Sequence, residues 1–229
     1  ITITILLIAF SFFKLSAQYK QDVYNAFINS NMDAWKILID ELERKQDKSD
    51  AFLLELINYQ YGFIGFCMEN DDKKQAKEYL KLAENNLEKL EKSSLYPSYV
   101  QAYKSAFYGF SVGLNKLKAP FVGPKSIDAA KQSMEQNPSN PLGYIQYANA
   151  QFYMPPLFGG SKEEAIEYYK KAILFEPDFP DSYYNLASVY GFIGDFKNAI
   201  LNYKLFLEQN PQEVMAKLAT ERIEYCEKQ

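Results

Sequence analysis

Over residues 180–211 the large apolar side chains recur at one helical interval, stop, and resume at the same interval. Tyr183, Leu186 and Tyr190 hold the i, i+3, i+7 spacing of one helix face. Gly194 and Asp195 then provide a helix stop followed by a helix start. Phe196, Ala199, Ile200, Tyr203 and Leu207 define the apolar face of a second helix that ends before Asn210 and Pro211. Ala187 and Ala199 are small enough to let the two helices approach closely. The pattern predicts a helical hairpin.

The same unit recurs upstream. Pro177 lies 34 residues before Pro211, and Ala165, Tyr169 and Ala172 precede Pro177 by 12, 8 and 5 residues. The helix expected before it, Pro141 to Tyr153, carries Tyr144, Tyr147 and Ala148 where the last hairpin has Tyr183, Leu186 and Ala187. From Tyr144 to Ala165 is 21 residues, against 16 from Tyr183 to Ala199, so five residues are inserted, and they fall within Met154 to Ala165, MPPLFGGSKEEA. Pro138 closes a further helix with Ile127, Ala130 and Met134 on one face, preceded by LKAPFVGPKS at residues 117–126. Both inserted stretches read as apolar Pro/Gly elbows on one edge of a stack. Earlier still, residues 49–68 and 71–92 form a hairpin, the latter with Ala76, Leu80 and Ala83 in register. Residues 18–30 and 32–45 form a first one, containing the single tryptophan, Trp35. A last helix spans 212–227, with Met215, Leu218, Ala219 and Cys226 inward and Lys217, Glu221, Glu224 and Lys228 outward.

The last hairpin resembles the tetratricopeptide repeat, whose pattern is held here by Tyr183, Leu186, Ala187, Tyr190, Gly194, Phe196, Ala199, Tyr203 and Pro211. It departs at Phe206, where the family has Ala, which calls for a wider gap to the next helix. The resemblance is strongest at 180–213, extends to 141–177 and is only suggestive before residue 138. It implies an all-α, right-handed α-solenoid of about five hairpins with a C-terminal capping helix, one domain over 18–229, with the cap at 212–227. Single hairpins of this size cannot bury their own apolar faces, so stacking supplies the core. The resemblance also implies a concave groove holding a peptide or partner protein at Ile145, Asn149, Tyr153, Tyr184, Ser188 and Phe192. Asn185 sits where some relatives clamp a C-terminal carboxylate, but the lysines of that clamp are missing from residues 141–153.

The elbows admit two readings. Phe121, Val122, Leu157 and Phe158 form a shared apolar ridge that grips a ligand, or they tuck onto the helix ends, with Gly123, Gly159 and Gly160 permitting positive φ and the prolines limiting chain entropy.

Composition narrows the function. At 48% apolar and 24% charged residues the chain is an ordinary folded protein, so disorder is excluded. The net charge of −4 gives no general attraction to nucleic acid or anionic lipid. Histidine is absent, which removes the commonest general base and metal ligand. Glu163 and Glu164 read as dipole partners at a helix start capped by Ser161, and Asn70, Asp71 and Asp72 as a helix start without the alternating oxygens of a calcium loop. Gly159 and Gly160 lack the following Lys-Ser/Thr of a phosphate loop. The expectation is therefore a non-enzyme with no cofactor and no metal.

Residues 1–13 are an apolar run too short to span a membrane, followed by Leu15, Ser16 and Ala17. They read as a signal peptide cut near Ala17, with membrane attachment only if it is uncleaved. Export would place the chain in the periplasm or outside the cell. Cys67 and Cys226 either form a bridge or rest unpaired in the core, the latter favoured by their distance along the stack. The functional expectation is an exported scaffold for a protein or peptide partner. Its alternative is a periplasmic small-ligand binder working with a transporter. A deep pocket beside Tyr147, Phe158 and Phe192 would mark the second and a shallow open groove the first.

Overall fold

The computed structural model describes residues 19–23, 25, 26, 31–176, 180–209 and 213–229, with backbone alone at 180–182 and 213–215. The expected leader at 1–17, the closing Pro177 and Pro211, and the inward placement of Met215 lie outside the described residues. No helix among these residues is long and apolar enough to cross a membrane. Helical residues at 19–23, 25 and 26 precede α1 (Met32–Glu43), α2 (Asp50–Glu69), α3 (Lys73–Ser93), α4 (Pro97–Leu114), α5 (Ala119–Gln136), α6 (Pro141–Tyr153), α7 (Lys162–Phe175), α8 (Pro180–Phe192), α9 (Phe196–Glu208) and α10 (Glu213–Glu227).

Local chemistry fixes where these helices begin. The Asn31 side chain accepts from the Ala34 amide, Ser49 from Phe52, Asp72 from Gln75, Asn140 from Leu142, Ser161 from Glu164 and Asp195 from Asn198. Each bond satisfies an amide that the first turn leaves without a carbonyl, worth about 1 kcal/mol. Gly194, at φ 82°, makes the reversal between α8 and α9 that the sequence predicts.

The helices pack as antiparallel neighbours, α2 on α3, α4 on α5, α6 on α7 and α8 on α9, with α10 capping α9. This is the expected α-solenoid. Two cores lie within it. The first joins α1 to α4 around Ile39, Leu56, Ile57, Ile64, Tyr79 and Leu90. The second joins α6 to α10 around Tyr169, Leu186, Val189, Tyr203 and Phe206. Between them α5 buries only small residues, Ser126, Ala129, Ala130 and Ser133. The Ser133 and Ser126 hydroxyls pair with those of Ser98 and Ser105 on α4, and Asn140 Nδ2 donates to Ser98 Oγ at 2.8 Å.

One cysteine sits in each core, Cys67 in the first and Cys226 in the second, and both are free and buried. That decides for unpaired core residues. Phe206 is buried, with its ring 5.3 Å from that of Tyr184 on α8. On the cap, Ala219, Ile223 and Cys226 face inward while Lys217, Glu221, Glu224 and Lys228 are exposed.

The first elbow differs from its expectation. Residues 117–126 form no irregular loop: a single 3-10 turn at Lys116–Lys118 leads straight into α5, which runs through Pro120 and Pro124. Pro120 occupies the first turn, where its missing N–H has no helical partner to lose. Pro124 costs one bond, that to the Pro120 carbonyl, and Pro120 is exposed where water replaces it. The second elbow is irregular as expected, with a 3-10 turn at Pro156–Phe158.

Candidate functional site: a tyrosine-lined concave face

The first helices of the hairpins, α2, α4 and α6, touch one another as well as their partners and so form the inner wall of the curve. The Tyr61 ring on α2 lies 5.9 Å from Tyr103 and 5.5 Å from Phe110, both on α4. Gln146 on α6 reaches across to donate to the Tyr61 hydroxyl at 3.1 Å. One turn intervals carry this face onward, from Tyr61 through Gly65 to Glu69 on α2, and from Gln146 through Asn149 to Tyr153 on α6. The face therefore ends with a carboxylate on one helix and a phenol on another.

Glu69 lies near enough to Tyr153 and to Tyr184 on α8 for its charge to act on both. Loss of hydration in the concavity raises the Glu69 carboxyl above its ordinary range. Tyr153 is 79% exposed, yet its phenol is raised too, first by the protein facing it and then by Glu69. A concave wall accounts for both facts, since it leaves a side chain reachable by solvent while removing much of the bulk water around it. Burial, then the neighbouring Tyr203, pushes Tyr184 up to about 12, partly offset by Arg222 on the cap. The wall thus offers three phenols, Tyr61, Tyr153 and Tyr184, between one acid and one base, with Tyr203 buried behind Tyr184.

The six residues expected to line the groove do not behave alike. Tyr153 and Phe192 are exposed; Tyr184, Asn149 and Ser188 are half-buried. Ile145 is 4% exposed and belongs to the second core, so its side chain presents no surface to a partner. Asn149 accepts the hydroxyl of buried Tyr169, and Ser188 donates to the Tyr184 carbonyl at 2.9 Å while sharing a bond with the Tyr203 hydroxyl. Both polar groups hold tyrosines in place. Phe192 rests edge-on against Phe152 at 5.4 Å, under the Lys162 ammonium, beside the turn into α9. Helix periodicity alone did not single out Tyr61 or Glu69. The signal was their spacing of eight on an aromatic-rich helix.

The second elbow is built by polar bonds. Gln151, 4% exposed, accepts from the Ser161 amide at 3.2 Å and donates to Tyr147, whose hydroxyl donates to Glu164 at 2.8 Å. Lys162 donates to the Phe152 carbonyl. Gly159 has φ 93°, and a Cβ on Gly160 would lie 1.9 Å from the Met154 carbonyl oxygen, so only glycine fits there. These bonds hold the elbow without burying its apolar residues. Leu157 and Phe158 are exposed, as is Phe121 on the first elbow, while Val122 is half-buried. The side chains do not tuck onto the helix ends. Two small cavities lie elsewhere, one between Tyr19, Phe52 and Tyr59 and one beside Ser94 and Pro97.

Residues 159–191 match a sequence model of the TPR repeat, and residues 180–213 match one of the tetratricopeptide repeat. The chain carries tetratricopeptide repeats over residues 159–213. Its fold is similar to that of a thermophilic TPR protein of Thermus thermophilus, at 17% identity and a TM-score of 0.61, over 90% of this chain and 96% of that one. It is also similar to the HusA haemophore of Porphyromonas gingivalis, at 18% identity and a TM-score of 0.55, over 78% of this chain and 92% of that one. At such identities the likeness is one of fold. No curated protein matches the sequence. The matched repeats cover α7 to α9, and the concave face described above begins two hairpins earlier, at α2.

Proposed function

We propose that this tetratricopeptide-repeat chain is a non-catalytic scaffold that holds a segment of a partner protein or peptide along its concave face. The observation that carries the reading is the convergence of Tyr153, Tyr184 and Glu69, from three different helices, on one open surface. Rigid aromatic side chains lose little entropy on binding, and phenols offer both apolar area and a hydrogen bond. Glu69 makes no ion pair among the described residues, so it favours a partner segment with a basic side chain. Export of the chain is part of the proposal and rests on the apolar run at 1–13 alone.

The small-ligand alternative is less favoured. A haemophore is among the proteins of similar fold, but the enclosed pocket expected beside Tyr147, Phe158 and Phe192 conflicts with the exposure of both phenylalanines.

Affinity capture tests the reading. Immobilised protein exposed to cell extract is expected to retain a partner that a Tyr153→Ala, Tyr184→Ala variant loses, with both proteins equally helical by circular dichroism. A partner retained equally by both would move the binding site off the concave face, and retention of no protein by either would sink the scaffold reading.

A further inference from the structure

The turn inside each hairpin, from first to second helix, lies on one edge of the solenoid. In the three hairpins from α4 to α9 this edge is lined with large apolar side chains that touch no core. Leu117 is 84% exposed and Phe121 75% in the first turn, Leu157 88% and Phe158 59% in the second, and Phe192 70% in the third. The turns are contiguous: a Cβ on Gly123 would meet Met154 Cε at 3.3 Å, joining first to second, and Phe152 meets Phe192, joining second to third. Two 3-10 turns and the first turn of α5 present these groups on rigid backbone, so the exposure is not that of a loose loop. Contiguous exposed apolar surface of this kind marks an interaction site.

Charge identifies the occupant. From Ser105 to Ile127 the chain has three lysines, Lys116, Lys118 and Lys125, and no acid, although the whole protein is acidic. Lys116 and Lys125 are exposed and make no ion pair among the described residues. Lys118 donates to Ser111 Oγ at 2.9 Å and feels Glu84, so it contributes less. The first turn is thus a local basic and apolar patch in an acidic chain, whereas the second and third turns balance Lys162 and Lys197 against Glu163, Glu164 and Asp195. Leucine and phenylalanine among lysines are the composition of a surface that lies at the boundary between lipid headgroups and acyl chains.

We propose that this edge docks on an anionic membrane surface, with Leu117, Phe121, Leu157 and Phe158 entering the headgroup boundary and Lys116 and Lys125 pairing with lipid phosphates. Docking this way leaves the concave face open to its partner.

Vesicle cosedimentation of the full chain tests it, with equimolar phosphatidylcholine and phosphatidylglycerol compared with phosphatidylcholine alone. Binding to the anionic vesicles is expected, weakened by salt. Charge reversal by Lys116→Glu with Lys125→Glu should lower the partition by at least roughly fivefold per lysine. A Phe121→Ser, Leu157→Ser, Phe158→Ser variant should lose binding, and since these side chains fill no core its thermal unfolding should match the parent. Absence of binding by the parent protein overturns the proposal. So does binding that neither variant reduces, which would assign it to the apolar run at 1–13.

Discussion

The two halves of this solenoid reach the same architecture by different chemistry. In the second core, where the repeat pattern is strong, Ala148, Ala165, Ala172, Ala187 and Ala199 are all fully buried, and tyrosines and one phenylalanine fill the space between. Small residues let helices approach and rings key them together. The first core has Ala76 and Ala83 in this manner but relies on Ile39, Leu42, Leu56, Ile57, Ile64 and Leu90. It also embeds polar groups: Asn86 Nδ2 donates to Glu43 at 2.7 Å and to Gln60 at 3.2 Å, and Gln60 Nε2 donates to Glu43 at 3.0 Å. The lesson is that stacked hairpins require complementary faces, and the family pattern is one way of supplying them.

If the serine-and-alanine seam of α5 divides the stack into two cores, a large wound in one should spare the other. Phe206→Ala removes a ring that is 1% exposed and is expected to cost about 3–5 kcal/mol. Hydrogen exchange should then quicken in α6 to α10 while α2 and α3 remain protected. Leu56→Ala, at about 2–5 kcal/mol, should do the reverse. Equal acceleration everywhere in both variants would show that the seam transmits the damage and that the two cores unfold as one.

A smaller effect separates the cores by chemistry. Asn86→Ala takes two hydrogen bonds from Glu43 and Gln60 at once and is expected to cost about 1–3 kcal/mol, with the loss confined to α1 to α4. Denaturant unfolding read at Trp35, which lies in this core, measures it directly. A neutral result would mean that the amide network is incidental to the packing of the first half.

What the sequence made legible follows from the same contrast. Helix spacing alone revealed α2, α3, α7, α8 and α9, because an apolar stripe and its caps are local properties. Helix α4 was not delimited, since Val100, Tyr103 and Phe107 share its buried surface with Ser98, Ala102, Ser105 and Ala106, small residues that carry little hydrophobic signal and break the stripe. Reading the first elbow as a loop weighed two prolines by type, whereas their cost depends on place within the helix. Of the groove residues, Tyr153, Tyr184 and Phe192 do present surface, but Ile145 could not be sorted from them, because a helix turned toward two neighbours has two inward faces. The net charge of −4 concealed the basic edge, as a sum over the chain holds no information about where its terms lie.

The two cysteines give the finest test of the comparison, one reporter for each core. Burial, aided by the charge of Asp72, pushes the Cys67 thiol up to about 11, and burial raises Cys226 against the opposing pull of Arg222. In both the folded chain holds the proton more tightly than the unfolded chain does. The stability this represents is complete below the ordinary thiol range, near pH ~8.5, and for Cys67 is lost as pH rises through about 11. At about pH 8 the native thiols are therefore protonated and covered, so reaction with an aromatic disulfide requires local opening. Cys226 lies on the terminal cap, which packs chiefly against α9, whereas α2 carries Cys67 between α1, α3 and α4. Cys226 should label faster, and Phe206→Ala should accelerate Cys226 while leaving Cys67 unchanged. Equal labelling rates, or acceleration of both by that substitution, would mean that opening is global and that the cores differ in composition but not in cooperativity.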